Sequence, residues 1–334
     1  MPDKEPIFDI AHLAHVELLS PKLDETVAFF KQFMGLHETE RDDASVYLRA
    51  YEESYHHSLQ VTRSVEPGLG HLGFRASSRA ALDRRVAKIE EMGAGLSWVE
   101  DAKGYGPAYE YRAPDGHRMR LFWEVHRPKA PKGQSSQLLN RPLKRPSQGV
   151  PVRRFDHVNI MCSEVAPTRD FLIEAHGARL RETVIADAGP VIGAWTSHNA
   201  LNHDVALTMD MAGASGRLHH VAFYYGQPQH LWDMADLLRE NEIEIEAGPG
   251  RHGITRGSFL YCFEPGGNRI EFYGDEGYLI LEPDFEPLTW SESDLALGLS
   301  YYGAELPITG AAVGTPHVPM PEMGEMVARM RGQG

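Results

Sequence analysis

Three phrases occur twice in this chain, in the same order, and that duplication limits the possible folds more than any other feature. Leu13-Ala14-His15-Val16-Glu17-Leu18 returns as Phe155-Asp156-His157-Val158-Asn159-Ile160. Gly70-His71-Leu72-Gly73-Phe74 returns as His219-His220-Val221-Ala222-Phe223. Tyr111 to Phe122, with Pro114-Asp115-Gly116 inside it, returns as Cys262 to Phe272 around Pro265-Gly266-Gly267. The first phrase of each half leads into an amphipathic stretch. Leu23, Val27, Phe30 and Met34 recur at helical spacing until Gly35, and Val165, Phe171, Leu172 and Ala175 until Gly177. The second phrase leads into Leu82, Val86, Ile89 and Met92, or Leu231, Met234, Ala235 and Leu238. The third reads as strand, Pro/Gly turn, strand. The expectation is an α+β chain of four βαβββ modules, paired into two domains of curled mixed sheets.

The domain limits follow from composition. Residues 1–128 form the first domain and 151–285 the second. Residues 129–150 join them, inside a basic, proline-containing stretch (127–150) without a single acid. Residues 286–334 lose the pattern and read as a tail that serves as a lid or a subunit contact. Lys+Arg is 33 and Asp+Glu 47, a formal charge of −14. That sign argues against nucleic acid and against an anionic membrane as partners. No apolar run is long enough for a membrane span, and the opening Met-Pro-Asp-Lys-Glu-Pro has no leader pattern. Cys162 and Cys262 are too few for a disulfide framework and suit a reducing cytoplasm.

Seventeen histidines invite a search for a metal site. Alternation along strands puts His157 on one face with Asn159, His220 with Ala222 and Tyr224, and Glu271 with Arg269 and Tyr273. The branched and aromatic residues between them face the other way, under helices. Two imidazoles and a carboxylate on three strands make a facial set that suits non-haem Fe(II), with Mn(II) chemically close. A single inward histidine is more often a hydrogen-bonded core residue, at odds of roughly nine to one. The recurrence changes those odds. The first half keeps His15 and His71 at matching places but has Arg120 opposite Glu271, and a guanidinium cannot ligate a cation. One metal per chain, in the second half, is the expectation.

Gly250-Arg251-His252-Gly253-Ile254-Thr255-Arg256-Gly257-Ser258-Phe259-Leu260-Tyr261, followed by Glu264-Pro265-Gly266-Gly267-Asn268-Arg269-Ile270-Glu271, resembles the signature of the type I extradiol ring-cleavage dioxygenases of the vicinal oxygen chelate superfamily. Phe155 to Asn159, Asn202 to Leu207, Leu218 to Phe223 and Thr289-Trp290 resemble the same family in order and spacing, and Tyr47-Leu48-Arg49 and His56-His57 do so more loosely. The resemblance implies the vicinal oxygen chelate fold and a cytoplasmic homotetramer. It implies His157, His220 and Glu271 as ligands of Fe(II), His203 as the acid–base histidine, and His252 and Tyr261 as hydrogen-bond donors. Asn159 and Trp195 would line the substrate and oxygen pocket.

The implied reaction is extradiol cleavage of an aromatic diol by O2, giving a 2-hydroxymuconate semialdehyde. Coordination would acidify the two hydroxyls, and an imidazole near neutrality would move their proton. Relatives that accept homoprotocatechuate carry an arginine where this chain has Ala247. Catechol or a neutral substituted catechol is therefore expected over a carboxylated one. Three other readings compete: a glyoxalase-like metal-dependent isomerase, a short metal-free antibiotic-sequestering protein, and a 4-hydroxyphenylpyruvate dioxygenase. The Gly-Arg-His-Gly phrase with Tyr261 favours the extradiol reading.

Overall fold

In the computed structural model, which describes residues 8–304, 306 and 312–332, four modules follow one another. The first is β1 (Ile10–Ser20), α1 (Leu23–Gln32), β2 (His37–Arg41), β3 (Ser45–Arg49) and β4 (Leu59–Arg63). The second is β5 (Gly68–Ala76), α2 (Arg79–Glu91), β6 (Gly95–Val99), β7 (Ala108–Arg112) and β8 (Arg118–Phe122). The third is β9 (Arg154–Cys162), α3 (Val165–Phe171), β10 (Arg179–Ile185), β11 (Val191–Ser197) and β12 (Val205–Met209). The fourth is β13 (Arg217–Tyr224), α4 (Gln229–Glu240), β14 (Ile245–Arg251), β15 (Ser258–Phe263) and β16 (Arg269–Tyr273). The tail adds β17 (Leu288–Ser291), α5 (Leu295–Leu299), β18 (Tyr302–Gly303) and α6 (Met323–Met330). The expected α+β fold of βαβββ modules is what forms. The residues read for a leader, 1–6, lie outside the described set.

The strands make two mixed sheets. The first runs β2-β3-β4-β1-β5-β8-β7-β6. The second runs β17-β10-β11-β12-β9-β13-β16-β15-β14-β18, so its eight inner strands repeat the first sheet's order and only its edges are new. In each sheet the first strands of two modules pair antiparallel at the centre, β1 with β5 and β9 with β13. Side chains on these strands face across the middle of a curled sheet, where a ligand can be surrounded.

Local chemistry fixes the helices. In α1, Leu23, Val27 and Phe30 are buried, with Asp24 and Glu25 in the first turn and Lys31 in the last, as the helix dipole favours. Ser78 caps α2 by accepting the Ala81 N–H at 3.0 Å. The stretch expected as one helix to Ala175 divides: α3 ends at Phe171 and a π-helical turn occupies Leu172–His176, closed by Gly177 at φ 74°. The wider turn buries His176, whose Nε2 meets the Tyr111 hydroxyl of the first half at 2.6 Å. Among the described residues no helix is long and apolar enough to cross a membrane.

Candidate metal centre

Two bulges decide how the central strands present their histidines. Along β9 and β13 the register steps from Ala222↔His157 to Phe223↔Phe155, and from Leu218↔Ile160 to His220↔Asn159. Asp156 and His219 are the extra residues. Simple alternation therefore breaks only at His219, which borders the cavity together with His220. From His220 onward the strand alternates as expected, and Ala222 pairs with both His157 and Glu271. The Tyr224 hydroxyl pairs with Glu276.

Each bulge residue holds the histidine that follows it. Asp156 Oδ2 lies 2.7 Å from His157 Nδ1, and His219 Nδ1 lies 2.7 Å from His220 Nδ1. Both histidines thus turn Nε2 inward, toward Glu271 on β16. Glu271 Oε2 is 2.8 Å from His157 Nε2 and 3.1 Å from His220 Nε2, and the two Nε2 atoms are 3.4 Å apart. Cis donors on an octahedral ion with bonds of about 2.1 Å stand about 3.0 Å apart, so the three atoms already have the spacing of one facial set. All three residues are buried, and Glu271 Oε1 is left without a hydrogen-bond partner. An orphaned buried carboxylate oxygen beside two imidazoles fits a cation and is costly without one. Burial opposes charge on His157, but Glu271 and Asp156 overcome it and lift its pKa to about 9. Burial prevails at His220 and lowers it to about 4, while the two imidazoles, against burial, hold Glu271 well below the usual carboxylate range.

The residues named from sequence as the catalytic group and pocket surround these atoms. His203, His252, Tyr261, Asn159 and Trp195 all border one cavity of about 230 Å³ with His157, His220 and Glu271. The His203 ring lies 4.0 Å from that of His157, centre to centre. Its Nδ1 is 2.5 Å from Asn202 Oδ1. Asn202 Nδ2 donates to the carbonyls of Glu276 (2.6 Å) and Tyr278 (3.1 Å), which fixes the amide so that its oxygen faces His203. His203 therefore carries its proton on Nδ1 and leaves Nε2 as a lone pair. Burial, with His157 nearby, holds its pKa well below the ordinary histidine value.

His252 is fixed in the same way. Its Nδ1 donates to the Leu299 carbonyl at 2.5 Å, and its Nε2 faces the Tyr261 hydroxyl at 3.1 Å. The loop that follows is tight: Thr255 and Arg256 have φ of 64° and 57°. Buried Glu182 holds it, accepting from Thr255 N–H (2.7 Å), Tyr278 Oη (2.9 Å) and Trp290 Nε1 (2.7 Å). Gly253 has no room for a side chain, because a Cβ would sit 2.3 Å from the Leu297 carbonyl.

Elsewhere the cavity is apolar. Val184, Ile192 and Met209 come from the second sheet, Met211 from the turn after β12, and Leu295, Leu299, Met326 and Met330 from the tail. Among the described residues Arg269 is the one arginine along its wall, and Glu246 takes its guanidinium at 2.6 Å through both carboxylate oxygens. Sequence reading missed Asp156, His219, Asn202, Glu182 and the tail methionines. Asp156-His157 and His219-His220 carried a signal, a polar residue just before each ligand candidate. Asn202 stands in the same way just before His203, whereas Glu182 and the tail methionines are joined to the site only by folding.

At the matching place in the first half, His15 Nε2 and His71 Nε2 lie 2.9 Å apart, and His71 Nδ1 bonds Glu17 at 2.7 Å. Arg120 pairs with Glu110 (2.9 Å) and Tyr105 (3.2 Å). The lone pair a metal would need is spent between the two rings.

Comparison with known proteins shows the family and the fold. The family described as "Glyoxalase/Bleomycin resistance protein/Dioxygenase superfamily" matches residues 12–121 and 154–272. A metapyrocatechase of Geobacillus stearothermophilus is 48% identical over 314 residues, 94% of this chain and 96% of the relative. A manganese-dependent 2,3-dihydroxybiphenyl 1,2-dioxygenase of Geobacillus genomosp. 3 is 36% identical over 302 residues, 89% of this chain and 95% of the relative. Among solved structures, the substrate complex of homoprotocatechuate 2,3-dioxygenase from Brevibacterium fuscum superposes with a TM-score of 0.80 at 28% identity, covering 92% of each chain.

Proposed function

The chain belongs to the extradiol dioxygenases of the glyoxalase/bleomycin resistance protein/dioxygenase superfamily, and on that premise we propose how its residues act. The protein opens the ring of catechol, or of a catechol with a neutral substituent, beside the two hydroxyl-bearing carbons. It uses O2 and yields a 2-hydroxymuconate semialdehyde. One observation carries the reading: His157 Nε2, His220 Nε2 and Glu271 Oε2 converge within 3.4 Å at the wall of an apolar cavity that His203, His252 and Tyr261 also border. His157, His220 and Glu271 would hold iron(II), or Mn(II) in its place, and the bound ion would supply the positive charge that acidifies the diol and the chemistry that activates dioxygen.

The chain supplies the rest. His203 is neutral because it is buried, and its lone pair at Nε2 takes a proton from a catechol hydroxyl and later returns it. Tyr261, whose proton now faces His252, can turn it to a substrate oxygen. Asn159 accepts from Thr208 Oγ1 at 3.0 Å, which leaves its amide hydrogens for the oxygen side. Trp195 and the methionines keep water from the ring. With Ala247 buried and Arg269 already paired to Glu246, no lysine or arginine along the described wall is left for a substrate carboxylate. Assembly as a homotetramer in the cytoplasm belongs to the same proposal, and mass photometry checks the assembly.

Iron(II)-loaded protein mixed with catechol in air is expected to give a yellow product. kcat/KM for catechol and for 3- and 4-methylcatechol should exceed that for 3,4-dihydroxyphenylacetate by roughly ten-fold or more, the worth of one missing charge-assisted hydrogen bond. A preference for the carboxylated diol overturns the substrate assignment. No colour from fully metallated protein overturns the reaction and favours the isomerase reading.

A further inference from the structure

The duplicated halves interlock, and the two interlocks are built differently. The hairpin turn Glu264–Asn268 of the second half inserts beside Ser20 and Thr26 of the first. There every polar group closes on another. Thr26 Oγ1 donates to Glu264 Oε2 at 2.5 Å and pairs with Ser20 Oγ at 2.8 Å. Asn268 Nδ2 donates to the Leu19 carbonyl at 3.0 Å, and its Oδ1 accepts from Thr315 at 2.9 Å.

The hairpin turn 113–117 of the first half inserts at the matching place in the second. By the repeat, Cys162 stands where Ser20 stands, Thr168 where Thr26 stands and His117 where Asn268 stands. Here the knot is open. His117 is 2% exposed and Cys162 and Thr168 are 0% exposed. Yet His117 Nδ1 has no hydrogen-bond partner, and Thr168 Oγ1 has none stronger than the Cys162 sulfur. Ligand atoms of Asp115, His117 and Cys162 all lie within 4.8 Å of one another.

The geometry points to a second metal site, formed by Cys162, His117 and Asp115, for a zinc-class divalent ion that fastens the first half's hairpin turn to the second half. Each donor is prepared for the role. His117 Nε2 donates to the Arg217 carbonyl at 3.0 Å, so Nδ1 holds an unshared lone pair. An N–H given to a backbone carbonyl is the usual support of a metal-bound imidazole. Asp115 accepts from Ser163 N–H (3.0 Å), Ser163 Oγ (2.5 Å) and Gly216 N–H (3.0 Å), and a carboxylate offers about four such directions, so one remains. Cys162 releases its thiol proton to solvent as the metal–sulfur bond forms. Thiolate, carboxylate and a dication then sum to zero charge, which a buried site requires. Thr168 Oγ1, or a water beside it, completes a tetrahedron. Tetrahedral donors on zinc stand about 3.3–3.8 Å apart, so closure takes inward shifts of up to about 1 Å. The sulfur separates this site from the N,N,O set of the catalytic centre, because thiolate selects zinc over iron(II) or manganese(II). Full burial means that loading accompanies folding.

The test uses whole protein produced in cobalt-supplemented minimal medium. Wild type is expected to hold two Co(II) per chain and to show thiolate-to-cobalt charge-transfer absorption in the near ultraviolet. Glu271→Gln keeps that absorption. Cys162→Ser and His117→Asn each lose it, together with one equivalent of metal and part of the Tm rise that zinc gives wild type. Those two substitutions install the residues that the opposite interlock already uses, so the fold has a precedent for both. Absence of the band in wild type, or a metal content unchanged in Cys162→Ser and His117→Asn, overturns the site.

Discussion

His203 hydrogen-bonds Asn202 through Nδ1 at 2.5 Å, and that contact fixes which nitrogen is free for chemistry. With Nε2 unprotonated and the ring buried, His203→Phe removes the proposed base without touching a proposed metal ligand. Its kcat should fall about 10²–10⁴-fold while metal content, measured by mass spectrometry, stays at the wild-type level. A second residue-scale expectation concerns Glu17 in the first half. Burial would raise its pKa, but the hydrogen bond and charge of His71, with Thr62 and Arg120, lower it to about 2. A carboxylate with a depressed folded pKa contributes its full stability above the unfolded value, near 4.5, and loses it as pH falls through the folded one. Glu17→Gln should therefore unfold more easily than wild type at pH 7, by about 3 kcal/mol at most, and the gap should close between pH 4.5 and 2. Urea titrations at several pH values measure it. A gap that persists below pH 2 would sink the linkage argument.

At the scale of elements, the two bulges are what bring the supports of the proposed metal ligands into place. A regular β9–β13 ladder would leave Asp156 and His219 on alternating faces, away from the imidazoles they hold. Asp156→Asn keeps the shape and removes the charge that fixes His157. Metal affinity should fall about 10–100-fold, with smaller loss of kcat in excess metal, as read by competition with a chelator. The loop 252–257 is the second such device. Glu182 is a buried carboxylate whose three donors come from that loop, from Tyr278 and from β17. Glu182→Ala leaves the Thr255 N–H and the Trp290 indole unpaired inside the protein. It should cost about 3–5 kcal/mol in denaturant unfolding, well above a surface change.

At the scale of the molecule, the two halves share one apolar core. Phe30 and Leu82 of the first half belong to the same buried cluster as Phe223 and Phe272 of the second, and Phe30 packs on Phe223 at 5.9 Å between ring centres. Each half also inserts a hairpin turn into the other, through Asp115 at Ser163 and through Glu264 at Thr26. With core and turns both crossing between halves, unfolding should be a single cooperative transition, with tryptophan fluorescence and far-ultraviolet circular dichroism coincident in urea. Two separated transitions would show that the halves are independent.

The chain by itself determined the duplicated α+β plan, because helical spacing, strand alternation and Pro/Gly turns are local properties that each half repeats. It also singled out His157, His220 and Glu271, since the contrast between Arg120 and Glu271 is written in the repeat. Only the tertiary structure decided which way those side chains turn. Bulges at Asp156 and His219 depend on pairing between strands about 60 residues apart, and no local pattern encodes them. The same holds for the lock of Asn202 on His203, for Glu182 beneath the loop, and for the tail methionines on the cavity wall. Each is a contact that the folded chain makes through packing and strand register rather than through local propensity.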